Sequence, residues 1–194
     1  DLFYYAVEHN RSFRVPVRHF GLVNDLMVSP NPSLKKKLEE LEFVPVAETI
    51  SLPALKATLR PYQAEGLQWL RFLHGHGFGG CLADDMGLGK TVQTLALLLS
   101  ERPDPHKATL IIMPASVIHN WRNEARRFTP SLRIMEHTGI NRSASTIFFD
   151  AVDIILTTYG LARNDLGLFL RYHFHYVILD ESQNLRNREG KRFR

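Results

Sequence analysis

The chain has 194 residues, 44% of them hydrophobic, and 24 basic against 20 acidic side chains give a formal net charge of +4. That length is enough for one domain and a piece of another, with ample capacity for a core. The single Cys81 excludes a disulfide framework, and no apolar run approaches the roughly 18 residues of a membrane span, so a soluble, intracellular chain with no membrane partner is expected.

Residues 1–50 carry 6 basic and 7 acidic side chains, so the positive excess lies entirely downstream. This suits a polyanion-binding second part and, equally, a solvated surface. The chain opens on Asp1 rather than Met and reads as a fragment or processed piece. Phe3–Val7 and Ser12–Val17 read as two strands of a hairpin. Ser29-Pro30-Asn31-Pro32 is a break, after which Ser33 caps a short amphipathic helix; its Lys35–Lys37 and Glu39, Glu40 and Glu42 form a solvated face. From Val44 to Pro53 the pattern fades into a linker. Residues 1–52 are thus an accessory α+β segment, and 53–194 form the main domain.

Pro61 suits the first turn of a helix that runs to about Phe72, with Leu67, Trp69, Leu70 and Leu73 as its apolar stripe. Gln63 lies in that turn. Its amide donates and accepts together, as reading an adenine edge requires, and a solvent-exposed glutamine is an equal alternative at this point. Gly75, Gly77, Gly79 and Gly80 end the helix, and Gly80–Ala83 is a short apolar run expected to form a buried parallel strand. Lys90-Thr91 opens a second helix. Ala108–Met113, Asp153–Leu156 and Tyr176–Leu179 are further apolar strands, and Arg133–His137 is a weaker one. Helices are expected at Ala115–Phe128, with Val117, Ile118 and Trp121 in the core, and at Gly160–Leu170. Strands alternating with helices at this spacing predict βαβ units: an α/β fold, an open parallel sheet with helices on both faces. Ligands of such sheets sit outside the C-terminal strand ends, where the glycine loop, Pro114, Thr157 and Asp180 all fall.

Two of those ends carry chemistry. Asp84–Gly89 has two glycines and no β-branched residue, and it stands between a strand and a helix opened by G-K-T, the setting of a phosphate loop. Gly87 and Gly89 let backbone N–H groups turn inward around phosphate oxygens. The helix start adds partial positive charge, Lys90 supplies a mobile ammonium, and the Thr91 hydroxyl can ligate Mg2+. The usual pattern has Gly or Ala where Asp84 stands. An ordinary strand-to-helix turn is the bland alternative. The second site is Asp180-Glu181, delivered to a strand end by four apolar residues. Asp180 would hold Mg2+, usually through water, and Glu181 would orient or deprotonate an attacking water. An apolar run before Asp-Glu is common by itself; paired with G-K-T it is a strong signal. His173 and His175 alternate on a strand approach, but with no third ligand nearby they read as structural. His74 and His76 receive no role.

LRPYQAEGLQWL, LADDMGLGKT, LIIMPASVIHNW, ILTTYG and VILDESQNLRN occur in the order and spacing of the Swi/Snf-type ATPases, the DNA-translocating branch of the superfamily-two helicases, which the chain resembles over about residues 55–190. The resemblance implies a RecA-like P-loop fold, ATP and Mg2+ as ligands, and double-stranded DNA as partner. It implies that Arg60 and Gln63 contact adenine, and that Asp85, Met86, Gly87, Leu88, Gly89, Lys90 and Thr91 wrap the phosphates. Lys90, Asp180 and Glu181 are the catalytic set, with Thr91 and Asp180 on the metal. Pro114, Ala115 and Ser116, with Thr157 and Thr158, match motifs that face the DNA backbone, and no residue is expected to read bases. Asp84 is normal for the family, and Asp85 stands where most members have Glu. Ser182-Gln183 after the Asp-Glu box looks like some bacterial members, which would place the protein in the cytoplasm or nucleoid; a eukaryotic member would be nuclear.

Thirteen residues follow Glu181. The resemblance implies a next motif and a second RecA-like lobe with an arginine finger, worth on the order of 10³ or more in turnover. The chain alone is therefore expected to bind nucleotide weakly and hydrolyse it barely. Other proteins are further expected partners. The basic end, with Arg186, Arg188, Lys191, Arg192 and Arg194, is a candidate contributor to DNA binding. A strand-separating superfamily-two helicase and a non-catalytic binding module are the alternatives; the intact G-K-T and Asp-Glu stand against the second.

Overall fold

A computed structural model describes residues 6–8, 11–13, 51–75, 77, 79–85, 87–101 and 105–182. The break at 29–32, the lysine-rich helix after Ser33, Met86 and the basic end lie outside the described residues. The chain divides into two units, Asp1–Leu52 with Thr58–Leu97 and Pro53–Ala57 with Leu98–Arg194.

In the first unit, β1 (Ala6–Glu8) and β2 (Arg11–Phe13) pair antiparallel with Val7 opposite Ser12, inside the expected hairpin. Helix α1 (Pro61–Gly75) extends three residues beyond Phe72 and buries Leu67 and Leu73. The strand expected at Gly80–Ala83 is not formed: residues 79–85 belong to no ladder. The reason lies in how α1 meets this segment. A Cβ at Gly80 would come within 2.7 Å of Leu70 Cδ2 and 2.9 Å of Leu73 Cδ1, so the helix side chains rest directly on the glycine backbone. The expected burial fails with the strand: Gly80 and Ala83 are exposed, and Cys81 and Leu82 are half-buried. Helix α2 (Lys90–Ser100) follows the loop; its residues 93–98 are all buried, the pattern of a helix enclosed on every side.

The second unit is built on a parallel sheet in the order β4 (Ile134–Glu136), β5 (Ile154–Thr158), β3 (Thr109–Met113), β6 (Val177–Leu179). The central strands read TLIIM and IILTT because both of their faces are covered. Leu110 pairs with Ile155 and Ile111 with Leu156, so successive rungs point to opposite faces. One face meets a cluster around Phe149, which is fully buried and lies 5.2 Å from the Tyr172 ring and 6.2 Å from Phe169, centroid to centroid. Tyr172 also ties the cluster's rim: its hydroxyl donates to Asp150 Oδ1 at 2.7 Å and accepts from Ala108 N at 3.0 Å. Burial pushes its pKa up to about 12, so it remains a donor.

The helix expected at Ala115–Phe128 is split into a 3-10 turn (Ala115–Val117) and α3 (Ile118–Phe128). Pro114 keeps extended backbone, φ −61° and ψ 145°, and the first turn closes tightly with Val117 N–H on Pro114 O at 3.1 Å. Ile118, Trp121 and Ala125 form the buried stripe of α3. The helix expected at Gly160–Leu170 is likewise two: α4 (Tyr159–Asn164) and α5 (Leu166–Phe169), interrupted at Asp165.

Asp165 is the centre of a clamp. Arg142 donates to both of its oxygens, Nε to Oδ2 at 2.5 Å and a terminal nitrogen to Oδ1 at 2.9 Å, while the buried His137 ring lies 2.9 Å from Oδ2. Hydrogen bonding to Arg142 first, then to His137, holds the Asp165 pKa down at about 2. The folded value is below the ordinary one of roughly 3.9, so this contribution is complete above about pH 4 and fades as pH falls toward 2. Asp165→Asn is therefore expected to lower stability near neutral pH and to lose less stability than wild type between about pH 4 and 2, read by denaturant midpoints. Equal acid losses in the two proteins would contradict the clamp.

Candidate functional site

In the first unit Tyr62 and Gln63 of α1 shape the glycine loop. Gly87 and Gly89 have φ of +85° and +78°, in the left-handed region that disfavours side chains. A Cβ at Gly89 would also stand 2.5 Å from Gln63 Nε2. That nitrogen donates to Leu88 O at 3.0 Å, the Tyr62 hydroxyl donates to the same oxygen at 3.0 Å, and Gln63 Oε1 accepts from Arg60 N at 2.8 Å. Gln63 is thus buried, only 7% exposed, and not the exposed glutamine of the bland alternative. Its amide keeps one N–H and one lone pair beyond these bonds. Arg60 is exposed.

Lys90 stands at the first position of α2 and turns its ammonium back over the loop, donating to Asp84 O at 2.6 Å and Asp85 O at 3.0 Å. The Asp84 carboxylate accepts from Gln93 Nε2 at 3.0 Å, which anchors the loop's start to α2. This gives the residue at the unusual loop position a structural task. Thr91 is half-buried on the first turn. Cys81 nearby is a free thiol whose pKa burial pushes up.

In the second unit, Asp180 lies one residue past β6, with its N–H continuing the ladder to Ile112 O at 2.9 Å. Its carbonyl accepts from the Tyr159 hydroxyl at 2.7 Å, Oδ1 accepts from Glu181 N at 3.0 Å, and Oδ2 accepts from Trp121 Nε1 at 2.7 Å. Burial, reinforced by the charges of Asp180 and Glu181, pushes Tyr159 up to about 12, so its hydroxyl stays a donor. Glu181 has φ +52°, the sole non-glycine at positive φ among the described residues. Such backbone costs about 1 kcal/mol or more and is found mainly at functional sites. Trp121 and Tyr159 lie within the matched motifs, but the motifs gave neither a part at the site. A buried indole must find an acceptor, but its partner is 59 residues away.

The C-terminal ends of β3, β4 and β5 frame an open pocket of about 440 Å³, lined by Ala115, His119, Arg122, Thr138 and Thr158 among others. Arg122 donates to Glu136 Oε1 at 2.9 Å along its wall. Ala115 and Ser116 are exposed, and Pro114 is half-buried. Thr158 is half-buried and caps α4, accepting from Leu161 N at 3.2 Å. Thr157 is different: it is fully buried and its hydroxyl donates to His137 O at 3.0 Å, so it supports the pocket from beneath and does not present a donor at the surface. Among the described residues no helix is long and apolar enough to cross a membrane, and no group of three or more His, Cys, Asp or Glu stands ready to hold a metal.

A four-stranded parallel sheet with helices between its strands defines an α/β domain of the RecA-like class. The SNF2-related domain family matches residues 62–194, and the chain belongs to that family. The putative ATP-dependent helicase/translocase YwqA of Bacillus subtilis (strain 168) is 41% identical over 167 residues, which cover 84% of this chain and 18% of YwqA. The human SWI/SNF-related matrix-associated actin-dependent regulator of chromatin subfamily A member 1 is 36% identical over 143 residues, 69% of this chain and 13% of that protein. The solved SWI2/SNF2 ATPase core of Sulfolobus solfataricus in complex with dsDNA superposes with a TM-score of 0.64 at 41% identity, covering 74% of this chain and 30% of that one. The chain thus spans under a fifth of these curated relatives.

Proposed function

We propose that this chain is the ATP-binding part of a Mg2+-dependent, double-stranded-DNA-translocating ATPase, with residues 53–194 as the RecA-like lobe and 1–52 as an accessory segment. The observation that carries the reading is the loop itself: two glycines at positive φ lead directly into Lys90 at the start of an 11-residue helix. A Cβ on Gly89 would fill that turn, and the lysine ammonium already rests on the loop's carbonyls.

The roles follow from the donor sets. Loop N–H groups and the Lys90 ammonium bind phosphate oxygens, and Gln63, with Arg60 beside it, offers its remaining donor and acceptor to adenine. On this reading Thr91 and Asp180 would each offer an oxygen to Mg2+, which keeps several waters and asks for only one or two protein oxygens. Each Asp180 oxygen accepts one hydrogen bond and retains a lone pair. When bound, the ion neutralises charge on the transferring phosphoryl group. Glu181 orients the attacking water and accepts its proton. Pro114, Ala115, Ser116 and Thr158 contact the DNA backbone, with Thr157 supporting them. YwqA is named a putative ATP-dependent helicase/translocase and the Sulfolobus solfataricus core was solved with dsDNA, which supports the assignment. A second lobe, further protein partners and an intracellular setting belong to the same reading.

The test is hydrolysis by the intact protein with and without duplex DNA, beside triplex and strand displacement. Duplex-stimulated turnover that falls as salt rises, with triplex displaced and strands left paired, is the expected result. Strand separation would indicate a helicase instead. Turnover indifferent to any nucleic acid would overturn the DNA assignment.

A further inference from the structure

Trp121 has no part in the roles above, yet its placement is more constrained than packing requires. It is 5% exposed and occupies the i+3 position of the α3 stripe between Ile118 and Ala125, where any large apolar side chain would serve. An indole there brings an N–H that must be satisfied when buried. Its acceptor is a carboxylate oxygen of Asp180 at 2.7 Å, a charge-assisted bond at the short end of the usual range.

The other restraints on Asp180 act on or through its own main chain. Its N–H is held by Ile112 O, its carbonyl by the Tyr159 hydroxyl, and Oδ1 by the adjacent Glu181 amide. These fix where the residue stands. Trp121 reaches the carboxylate from a distant element, and together with the adjacent Glu181 amide it fixes how the side chain is turned.

We propose that Trp121 is a positioning residue for the metal-binding carboxylate: its indole N–H holds Asp180 in one rotamer and so presets the affinity for Mg2+, while Tyr159 holds the main chain beneath. The proposal rests on reading Asp180 as the Mg2+ residue. An outer partner that orients a metal-binding carboxylate typically changes metal affinity by 10- to 100-fold when removed.

Trp121→Phe in the intact protein keeps a ring in the core and removes the donor. Binding of a fluorescent, non-hydrolysable ATP analogue, titrated with Mg2+, gives the readout. The half-saturating Mg2+ concentration is expected to rise about 10-fold in Trp121→Phe and by a smaller factor in Tyr159→Phe. Analogue affinity without Mg2+, set by the glycine loop and Lys90, should not move. A role in packing alone would lower the melting temperature and leave the Mg2+ requirement unchanged, and that outcome overturns the proposal. Should Trp121→Phe fail to fold, site-specific β-(3-benzothienyl)alanine at position 121 keeps the indole's shape without its N–H; an unchanged Mg2+ requirement there also overturns it. If the parent protein binds the analogue with no regard to Mg2+, it is the functional reading itself that fails.

Discussion

Lys90→Ala should reduce DNA-stimulated ATP hydrolysis by the intact protein on the order of 10²- to 10³-fold, the usual effect of removing a preorganised donor from a transition state that gathers charge on oxygen. The Lys90 ammonium donates to Asp84 O and Asp85 O, two loop carbonyls. Phosphate oxygens are stronger acceptors and draw the same ammonium away from them. The lysine is half-buried, so water can replace it on those carbonyls in the variant, and the melting temperature should change little. Affinity for nucleotide should fall together with turnover, because the ammonium already binds the phosphates in the ground state and binds them more strongly as charge gathers in the transition state. A variant that retains wild-type turnover would return the chain to the reading of a non-catalytic module.

Glu181→Gln should lose turnover on the order of 10²- to 10⁴-fold while keeping nucleotide affinity, because a carboxamide matches the carboxylate in shape but cannot take a proton. The contrast with Lys90→Ala is the informative part: one variant fails to bind and turn over, the other binds and stalls. The positive φ of Glu181 makes the replacement by glutamine suitable, since the backbone demand is the same for both side chains. Equilibrium binding of ATP beside single-turnover hydrolysis separates the two defects. Wild-type turnover in Glu181→Gln would remove the residue from the mechanism.

The strands at Thr109–Met113 and Ile154–Thr158 were legible because a strand covered on both faces has to be written as an unbroken apolar run. The loop was legible because G-K-T carries its mechanism in adjacent residues. What the sequence concealed is chemistry between distant residues. Gln63 could not be separated from an exposed glutamine, since its burial depends on Leu88, 25 residues later. Trp121 read as core, which it is; its second task depends on Asp180, 59 residues on. The clamp of Arg142, His137 and Asp165 spans loops with no periodic pattern, and its Asp165 is where the single helix expected at Gly160–Leu170 divides in two. Gly80–Ala83 failed as a strand for the opposite reason: its apolar character is real, but the segment pairs with no strand and is only partly covered, with α1 side chains against Gly80. Thr157 shows the same limit, since a hydroxyl beside a strand end looks available until its acceptor, His137 O, is known.

The central claim is that Lys90 and Glu181 serve one reaction on one nucleotide, and a double-mutant cycle on DNA-stimulated turnover tests it most directly. Residues that work as a unit are strongly non-additive, so Lys90→Ala with Glu181→Gln should be about as slow as the slower single variant. A double variant whose loss equals the product of the two single losses would show that the two residues act independently and would contradict the account.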